Sequence, residues 1–379
     1  MNIRAQLDRS LEQADIAAIL PALLTAQSVV FGDAYRELHI EPPINGLIDF
    51  ETNLATVLDL RELPWRSGPQ RSDWPPIHEL ADAVLTVIAP DPSLLPAELA
   101  AQLAAWSLDI VALRRLSSAR STELAVEIYL NDWARCRNLH GAIHPLSELW
   151  GVDLALMPAD TKRPRPRIVA FDMDSTLITC EVIDELAARA GVGDAVAAIT
   201  ARAMRGELDF RSSFQARMAQ LAGLPAATLD DLAANLPLMD GAVDLLLTLR
   251  AQGHYTMILS GGFDFFAHRL QQRLGVHEVH ANHLQIRDGA LTGDIDGMLV
   301  DGERKVQFLR AASHARGIDL RDTVAVGDGA NDLPMLAEAG LGVAFHAKPL
   351  VREQAPCAMT FCDLTGLLYL MGVPRELAS

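Results

Sequence analysis

Four short apolar runs constrain the fold of this chain more strongly than any other feature. In chain order they are Ile168–Asp172, Tyr255–Leu259, Thr323–Gly327 and Leu341–Phe345. Because helix-period segments separate them, they predict buried parallel strands with helical crossovers. In such a sheet, ligands bind beyond the carboxyl ends of the strands. The sequence therefore predicts an α/β fold with Asp172, Ser260 and Asp328 at one edge of one sheet.

The chain has 379 residues, enough for two or three domains. Residues 161–167 are basic and contain two prolines, which predicts an exposed linker, with the α/β core occupying residues 168–379. Residues 178–240 separate the first two strands of that core and are too many for a simple crossover. Their helix-period apolar positions predict a small helical cap over the strand ends. Further on, Arg287–Ala290 is typical of a hairpin turn.

In residues 81–160 the predicted strands and helices follow the order β-α-β-β-α-β, which predicts a ferredoxin-like α+β domain. The predicted strands are Ala83–Ala89, Asp109–Leu116, Glu123–Leu130 and Val152–Met157, and the predicted helices are Leu95–Trp106 and Ala134–Leu149. Residues 1–80 indicate no particular architecture, and the sequence shows no internal repeat.

Composition excludes several classes of partner. The formal net charge of −17 argues against a nucleic-acid or anionic-membrane binder, because both need a cationic surface. The uncharged stretch Ile16–Gly32 is short for a membrane helix and contains Pro21. Four cysteines without a CxxC pair indicate reduced thiols in a cytoplasmic protein.

Two carboxylates, Asp172 and Asp174, follow the first predicted strand two residues apart. One can attack a phosphorus atom, while the other protonates the leaving alcohol and later deprotonates the attacking water. Two acids that cap a helix are the ordinary structural alternative.

Three further elements fit the same chemistry. The hydroxyl and backbone N–H groups of Ser260–Gly262 can hold phosphate oxygens, and Lys305 can neutralise charge on a transferring phosphoryl group. Asp328 can bind Mg²⁺, and Asp332 can orient that site without binding the ion. Taken alone, the Ser260–Gly262 and Asp328–Asp332 segments could be plain turns, and Lys305 could be a solvated surface lysine. The order of the three elements after the Asp172–Asp174 pair favours phosphoryl transfer.

The set from Asp172 to Asp332 resembles the four motifs of the haloacid dehalogenase superfamily. More narrowly, residues 166–372 are similar to phosphoserine phosphatases. The similarity includes Phe171–Leu177, Ala203–Gly206 and Ser260–Asp264. The resemblance implies a Rossmann-like hydrolase core that hydrolyses O-phospho-L-serine through a phosphoaspartyl intermediate, the last step of serine biosynthesis.

The resemblance also implies a role for each matching residue. Asp172 would be the nucleophile and Asp174 the acid and base, with Mg²⁺ held by Asp172, the Asp174 carbonyl and Asp328. The residues that would contact substrate are Ser260, Gly261, Lys305 and Asn331 around the phosphate, Glu181 at the ammonium, Arg217 at the carboxylate, and Met204 and Phe210 as a shield against water.

The ferredoxin-like segment resembles the amino-acid-sensing ACT domain, on its pattern and on Leu108–Ser117. Its first turn, Ala89–Ser93, lacks the glycine that ligand-binding members often have, so amino-acid binding and a packing or homodimer role both stay open. Two alternatives to phosphoserine hydrolysis also stay open. One is another small phosphomonoester, such as phosphothreonine or phosphohomoserine, and the other is an inactive sensor.

Overall fold

The computed structural model of the chain divides into two units. Unit 1 consists of Met1–Pro164, Thr360–Cys362 and Gly366–Ser379, and unit 2 of Arg165–Met359 and Asp363–Thr365. The structure describes residues 77–374 except 95–97, 119–120, 163–164 and 166, and before them 3–7, 28–32, 37–41, 65–67 and the single residues 11, 20, 23 and 26. The predicted stretch Ile16–Gly32 lies mostly outside these residues.

Unit 1 is built on an eight-stranded sheet in which all named neighbours are antiparallel. Its strands are β1 (Ile3–Leu7), β2 (Ser28–Gly32), β3 (Glu37–Glu41), β4 (Trp65–Ser67), β5 (Ala83–Ala89), β6 (Ile110–Arg115), β7 (Leu124–Leu130) and β8 (Asp153–Pro158). Their order across the sheet is β4-β1-β3-β2-β6-β7-β5-β8. Strands β5 to β8 thus have the predicted ferredoxin-like order.

Strands β1 to β4 repeat the order of β5 to β8, and the two halves meet where β2 pairs with β6. The sequence had indicated no repeat and no architecture for residues 1–80. The repetition lies in the pairing order of the strands, which residue identities along the chain do not display. The prediction of an ACT domain in this unit stays a prediction.

Three helices of unit 1 connect the strands of its second half: α1 (Leu99–Ala105), α2 (Trp133–Asn138) and α3 (His140–Trp150). Alternate residues of β5 and β7 pack with Leu99, Leu103 and Ile143 in one core, as the two-residue period of a strand requires. The single helix predicted over Ala134–Leu149 is interrupted at Leu139. There, N–H groups bond to the carbonyl three residues back and tighten the turn.

Unit 2 contains a seven-stranded sheet that confirms the four predicted parallel strands. Its strands are β9 (Ile168–Phe171), β10 (Tyr255–Phe263), β11 (Glu278–Arg287), β12 (Ala290–Asp296), β13 (Thr323–Gly327), β14 (Leu341–Phe345) and β15 (Cys357–Met359), in the order β12-β11-β10-β9-β13-β14-β15. Only β12 runs antiparallel to its neighbour. The predicted hairpin turn is confirmed, with Asp288 and Gly289 at φ of 51° and 76°.

The predicted cap is confirmed as four helices: α4 (Val182–Arg189), α5 (Gly193–Met204), α6 (Phe210–Gln220) and α7 (Ala227–Ala234). Its two connecting stretches pair with each other, since Thr179 N–H donates to Pro237 O and Met239 N–H to Leu177 O. The remaining helices of unit 2 are α8 (Ala242–Ala251), α9 (Asp264–Leu274), α10 (Gly302–Arg316), α11 (Leu333–Glu338) and α12 (Pro349–Gln354). Among the described residues, no helix is long and apolar enough to cross a membrane.

A short C-terminal helix, α13 (Gly366–Leu370), belongs to unit 1, although the sequence had assigned all of residues 168–379 to the hydrolase core. The buried Asp153 carboxylate of β8 accepts backbone N–H bonds from Thr360 at 2.6 Å and from Cys362 at 3.0 Å. The segment after Met359 therefore completes the polar bonding of the unit 1 sheet.

Lys162 makes the complementary contact to the same C-terminal segment. Its ammonium donates to the carbonyl oxygens of Tyr369 at 2.9 Å and Leu370 at 2.8 Å, and lies 3.1 Å from the Glu127 carboxylate. The prediction of an exposed linker is wrong at Lys162 and Arg167, which are 2% and 4% exposed. At Lys162 these three oxygens compensate for the loss of water around a buried charge.

Candidate active site

The carboxyl ends of three neighbouring strands carry the candidate catalytic residues. Asp172 follows β9 directly, Asp328 follows β13, and Ser260 lies near the end of β10. Since β9 pairs in parallel with both β10 and β13, the three side chains come to one sheet edge, as predicted. All three are buried, with exposed fractions of 9% or less.

A tight loop after β9 places the two predicted catalytic carboxylates. The Asp172 N–H donates to Val326 O at 2.8 Å, which ties the loop to β13. Met173 O then accepts N–H bonds from Thr176 and Leu177, so the chain turns back at once. As a result Asp174 faces the Ser260–Gly262 segment, and a Cβ atom at Gly262 would lie only 2.6 Å from its Oδ2 atom. A side chain at position 262 would displace the Asp174 carboxylate.

Lys305 joins two of the acids. Its ammonium, fully buried, lies 2.8 Å from Asp172 Oδ1 and 2.6 Å from Asp332 Oδ1. Burial by itself lowers the pKa of Lys305, but the two carboxylates outweigh it and the pKa is raised. Lys305 is therefore a permanent positive charge beside the predicted nucleophile.

Asp172, Asp328 and Asp332 form a compact acid cluster whose ligating oxygens lie within 4.8 Å of one another. Burial, and next the neighbouring Asp172 charge, raises the pKa of Asp328 to about 8 and that of Asp332 to about 7. One buried lysine does not neutralise three carboxylates. The donor set of oxygens from adjacent acids fits a hard divalent cation, which would stabilise the charged forms.

The pKa of Asp174 is raised well above its usual range, first by burial and then by the Glu181 and Asp172 charges. Its Oδ1 atom accepts a long 3.4 Å bond from the Val182 N–H. Asp174 therefore holds a proton more readily than an ordinary aspartate, which is the property that a general acid needs.

Four residues predicted to contact substrate, Ser260, Gly261, Asn331 and Phe210, lie near one another. The Ser260 Oγ atom accepts a 2.9 Å bond from the Gly262 N–H. A Cβ atom at Gly261 would lie 3.3 Å from Phe210 Cζ and 3.9 Å from Asn331 Nδ2. The backbone at Gly261 therefore lies close to one cap residue and to one residue of the loop after β13.

The cap contributes Glu181 and Arg217. Glu181 accepts a 3.0 Å bond from the Ser175 hydroxyl, and its pKa is raised, first by burial and then by the Asp172 charge. On α6, Phe210, Phe214 and Arg217 are spaced to share one helix face. The Arg217 Nε atom is buried and has no hydrogen-bond partner among the described residues.

Met204, another predicted site residue, lies at the protein surface. It ends α5 and is 67% exposed. Its predicted role as a shield against water stays a prediction.

Two residues at this sheet edge were missed by the sequence analysis. Asn282 on β11 donates to Gly261 O, a contact that no sequence motif around Asn282 indicates. Lys348 follows β14, the next strand beyond β13, and its ammonium opposes the rise that burial causes in the pKa of both Glu181 and Asp328. Lys348 had one usable signal: the chain has only three lysines, and the other two are Lys162 and Lys305.

Comparison with known proteins points to the same unit. The family model for haloacid dehalogenase-like hydrolases matches residues 169–337. A phosphoserine phosphatase from Streptomyces coelicolor is 50% identical over 226 residues, covering 60% of this chain and 55% of that protein. A phosphoserine phosphatase from Haemophilus influenzae is 47% identical over 220 residues, covering 58% of this chain and 70% of that protein.

A solved structure of a phosphoaspartyl intermediate analogue of phosphoserine phosphatase superimposes with a TM-score of 0.52 at 38% identity. The match covers 54% of this chain and 99% of that one, so the shared part is about the size of unit 2. The chain spans about half the length of the Streptomyces relative but more than two thirds of the Haemophilus one. On this identity and coverage, the chain belongs to the phosphoserine phosphatase family of haloacid dehalogenase-like hydrolases.

Proposed function

We propose that this protein hydrolyses O-phospho-L-serine to serine and phosphate, the final reaction of serine synthesis. One observation carries the choice of substrate. The cap carries Glu181, whose carboxylate bonds to the Ser175 hydroxyl of the catalytic loop, and Arg217, whose Nε atom is buried with no hydrogen-bond partner among the described residues. The relatives named as phosphoserine phosphatases support the same substrate.

The reaction proceeds in two displacements at phosphorus. Asp172 attacks the phosphorus atom, the bond from phosphorus to the serine oxygen breaks, and Asp174 gives its proton to that oxygen. Asp174 then takes a proton from water as the water oxygen attacks the phosphoaspartate. Phosphate leaves, and Asp172 is restored. The raised pKa of Asp174 supports its first role.

Three groups stabilise the phosphoryl group during transfer. The Lys305 ammonium, held between Asp172 and Asp332, offsets negative charge at the nucleophile. The Ser260 hydroxyl and the Gly261 backbone bind the phosphate oxygens, with Asn331 beside them.

We also propose Mg²⁺ as the metal ion of the site. Asp172, the Asp174 carbonyl and Asp328 would hold it, and Asp332, which bonds to Lys305 and to the Gly329 N–H, would keep Asp328 and Lys305 in place. When bound, Mg²⁺ would neutralise the repulsion between Asp172 and an incoming phosphate dianion. The acid cluster, with raised pKa values and too few cations, supports this proposal.

Glu181 and Arg217 match the two charges of the amino-acid part of the substrate. The Glu181 carboxylate would bind the ammonium group, and the Arg217 guanidinium would bind the carboxylate, to which arginine can donate two parallel bonds. Phe210 would cover the phosphate, since its ring lies against the Gly261 backbone.

For unit 1 we propose an ACT-like packing or homodimer role in a cytoplasmic enzyme. The ferredoxin-like strand order supports the domain type, and four cysteines outside disulfide bonds fit a reducing compartment. Measuring the oligomeric state with and without serine tests this part, because serine-dependent association would favour amino-acid binding instead.

The decisive experiment compares two substrates that differ only in the carboxylate. Purified protein with Mg²⁺ is assayed for phosphate release from phosphoserine and from phosphoethanolamine. We expect Arg217→Met to lower kcat/KM for phosphoserine by about 10- to 100-fold, the value of a charge-assisted hydrogen bond, and to leave phosphoethanolamine unaffected.

Arg211→Met is the matched control. It removes an arginine from the same helix whose side chain is 62% exposed and lies 3.7 Å from Asp301. Equal losses on both substrates for Arg217→Met would contradict carboxylate recognition. Wild-type protein that releases phosphate faster from phosphothreonine or phosphohomoserine than from phosphoserine would overturn the proposed substrate.

A further inference from the structure

The Asn282 side chain joins two chain segments of the active site. It is 2% exposed, and both ends of its amide are bonded. Its Nδ2 atom donates to Gly261 O at 2.8 Å, and its Oδ1 atom accepts from the Val300 N–H at 2.8 Å. Only one orientation of the amide allows both bonds, because the reverse would place oxygen against oxygen and N–H against N–H.

On the Gly261 side, the amide replaces a bond that the sheet does not make. The pairing of β10 with β11 changes register between Leu259 and Phe263, and Asn282 is the residue opposite Phe263 after the change. The carbonyl of Gly261 falls inside the irregular stretch. Because a buried carbonyl needs a hydrogen-bond donor, the Asn282 side chain donates the bond that the pairing of β10 with β11 does not provide here.

Holding this carbonyl also orients the phosphate-binding groups. Gly261 O and the Gly262 N–H belong to one planar peptide unit, so fixing the first fixes the direction of the second. The Gly262 N–H in turn donates to Ser260 Oγ at 2.9 Å, which sets the rotation of the hydroxyl.

On the other side, Asn282 accepts the bond from Val300, the residue just before the N-cap of the helix that carries Lys305. Val300 is followed by Asp301, which caps α10 by accepting from the Arg304 N–H at 3.0 Å, and Lys305 lies in the first turn. Val300 O would also lie 3.5 Å from a Cβ atom at Gly261, so the two segments approach each other closely.

We propose that Asn282 is a positioning residue that sets the Ser260–Gly262 backbone and the Lys305 helix at the spacing required to bind one phosphoryl group. It acts through Gly261 and Val300 and does not touch the substrate. The inference rests on the proposed phosphatase function, but it concerns phosphate binding and not the choice of alcohol. A residue that only stabilised the fold would lower stability without changing the affinity of the folded protein for phosphate.

Asn282→Asp tests the contact to Gly261 alone. It preserves size and the oxygen facing Val300 but places an oxygen against the Gly261 carbonyl. The readouts on the full-length protein are the inhibition constant of inorganic phosphate, KM and kcat, the Mg²⁺ concentration for half-activation, and the melting temperature. We expect the phosphate inhibition constant and KM to rise about 10- to 100-fold, as for other residues that orient a binding group, with Mg²⁺ activation unchanged.

Asn235→Asp is the matched control. Its Nδ2 atom also donates to a backbone carbonyl, Asp231 O at 3.1 Å, but on the exposed end of α7. It should leave the phosphate inhibition constant unchanged. If Asn282→Asp does not fold because of its buried charge, Asn282→Ala replaces it, with the same expectation.

Folded Asn282→Asp or Asn282→Ala with a wild-type phosphate inhibition constant would overturn the proposal. So would failure of both variants to fold in the presence of phosphate, because Asn282 would then determine the fold and not the site. Wild-type protein inactive on phosphoserine but active on another phosphomonoester would refute the proposed substrate and leave this comparison intact.

Discussion

Replacing Lys305 with methionine removes the single positive charge between Asp172 and Asp332 while keeping most of the side-chain volume. The ammonium lies 2.8 Å and 2.6 Å from the two carboxylates and is fully buried. At an effective dielectric constant of about 20, each contact corresponds to about 6 kcal/mol before desolvation. Desolvation of the ions cancels much of this, and breaking a buried pair by removing one partner costs about 3–5 kcal/mol.

The loss should depend on pH in a direction that the structure dictates. The pKa of Asp332 is about 7, raised by burial and by Asp172 and lowered by Lys305. Without Lys305 it rises further, so the folded variant binds a proton that the unfolded chain releases. Protonation relieves the unpaired charge at low pH, and the destabilisation should therefore be larger at about pH 8 than at about pH 5.5.

Thermal unfolding without metal at both pH values measures this effect. For a domain the size of unit 2 we expect a fall of about 6–20 °C at the higher pH. Arg211→Met is the control, because replacing a cation whose side chain is 62% exposed should change stability by less than about 0.5 kcal/mol. An unchanged melting temperature, or an equal loss at both pH values, would refute the argument that Lys305 is held by buried carboxylates.

Three further outcomes follow from the site. Asp172→Asn should fold normally but release phosphate at least about 10⁴-fold more slowly, because the amide is a poor nucleophile, and a near-normal rate would exclude the covalent route. Metal-free protein should lose stability as pH rises from about 4 to about 8, because folded Asp328 and Asp332 keep protons that the unfolded chain has lost. Denaturant titrations should show that Mg²⁺ removes this pH dependence of stability, and metal-free stability that does not change with pH would contradict the prediction. Lys348→Met should lower kcat/KM for phosphoserine about three- to tenfold at low ionic strength and less in high salt, and an equal loss under both conditions would contradict its electrostatic role.

The catalytic edge was predictable because it depends on local patterns. Each of Asp172, Ser260 and Asp328 lies at the end of an apolar run, and parallel strands bring such ends together whatever their separation along the chain. The cap was predictable for a similar reason, since an insertion of that length with a helical period has few other places to pack.

Other features depend on contacts that have no local signature. The bond from Asn282 to Gly261 spans 21 residues and exists only because β10 and β11 change register between Leu259 and Phe263. The bond from Lys162 to Tyr369 O spans 207 residues. Nothing local to the basic, proline-containing stretch indicates this bond, so the stretch was predicted to be exposed although Lys162 is buried. In both cases a polar side chain donates a hydrogen bond to a backbone carbonyl that it approaches only after the chain has folded.

The return of the C-terminal segment to unit 1 has a consequence for synthesis on the ribosome. Domains generally fold as units while the chain emerges, the N-terminal one first. Here the N-terminal sheet is completed late, because the bonds from Thr360 to Asp153 and from Lys162 to Tyr369 O can form only after residues 360–370 have been translated. Unit 2 is almost complete by Met359. The hydrolase core can therefore mature before the unit that precedes it in the chain, reversing the usual order.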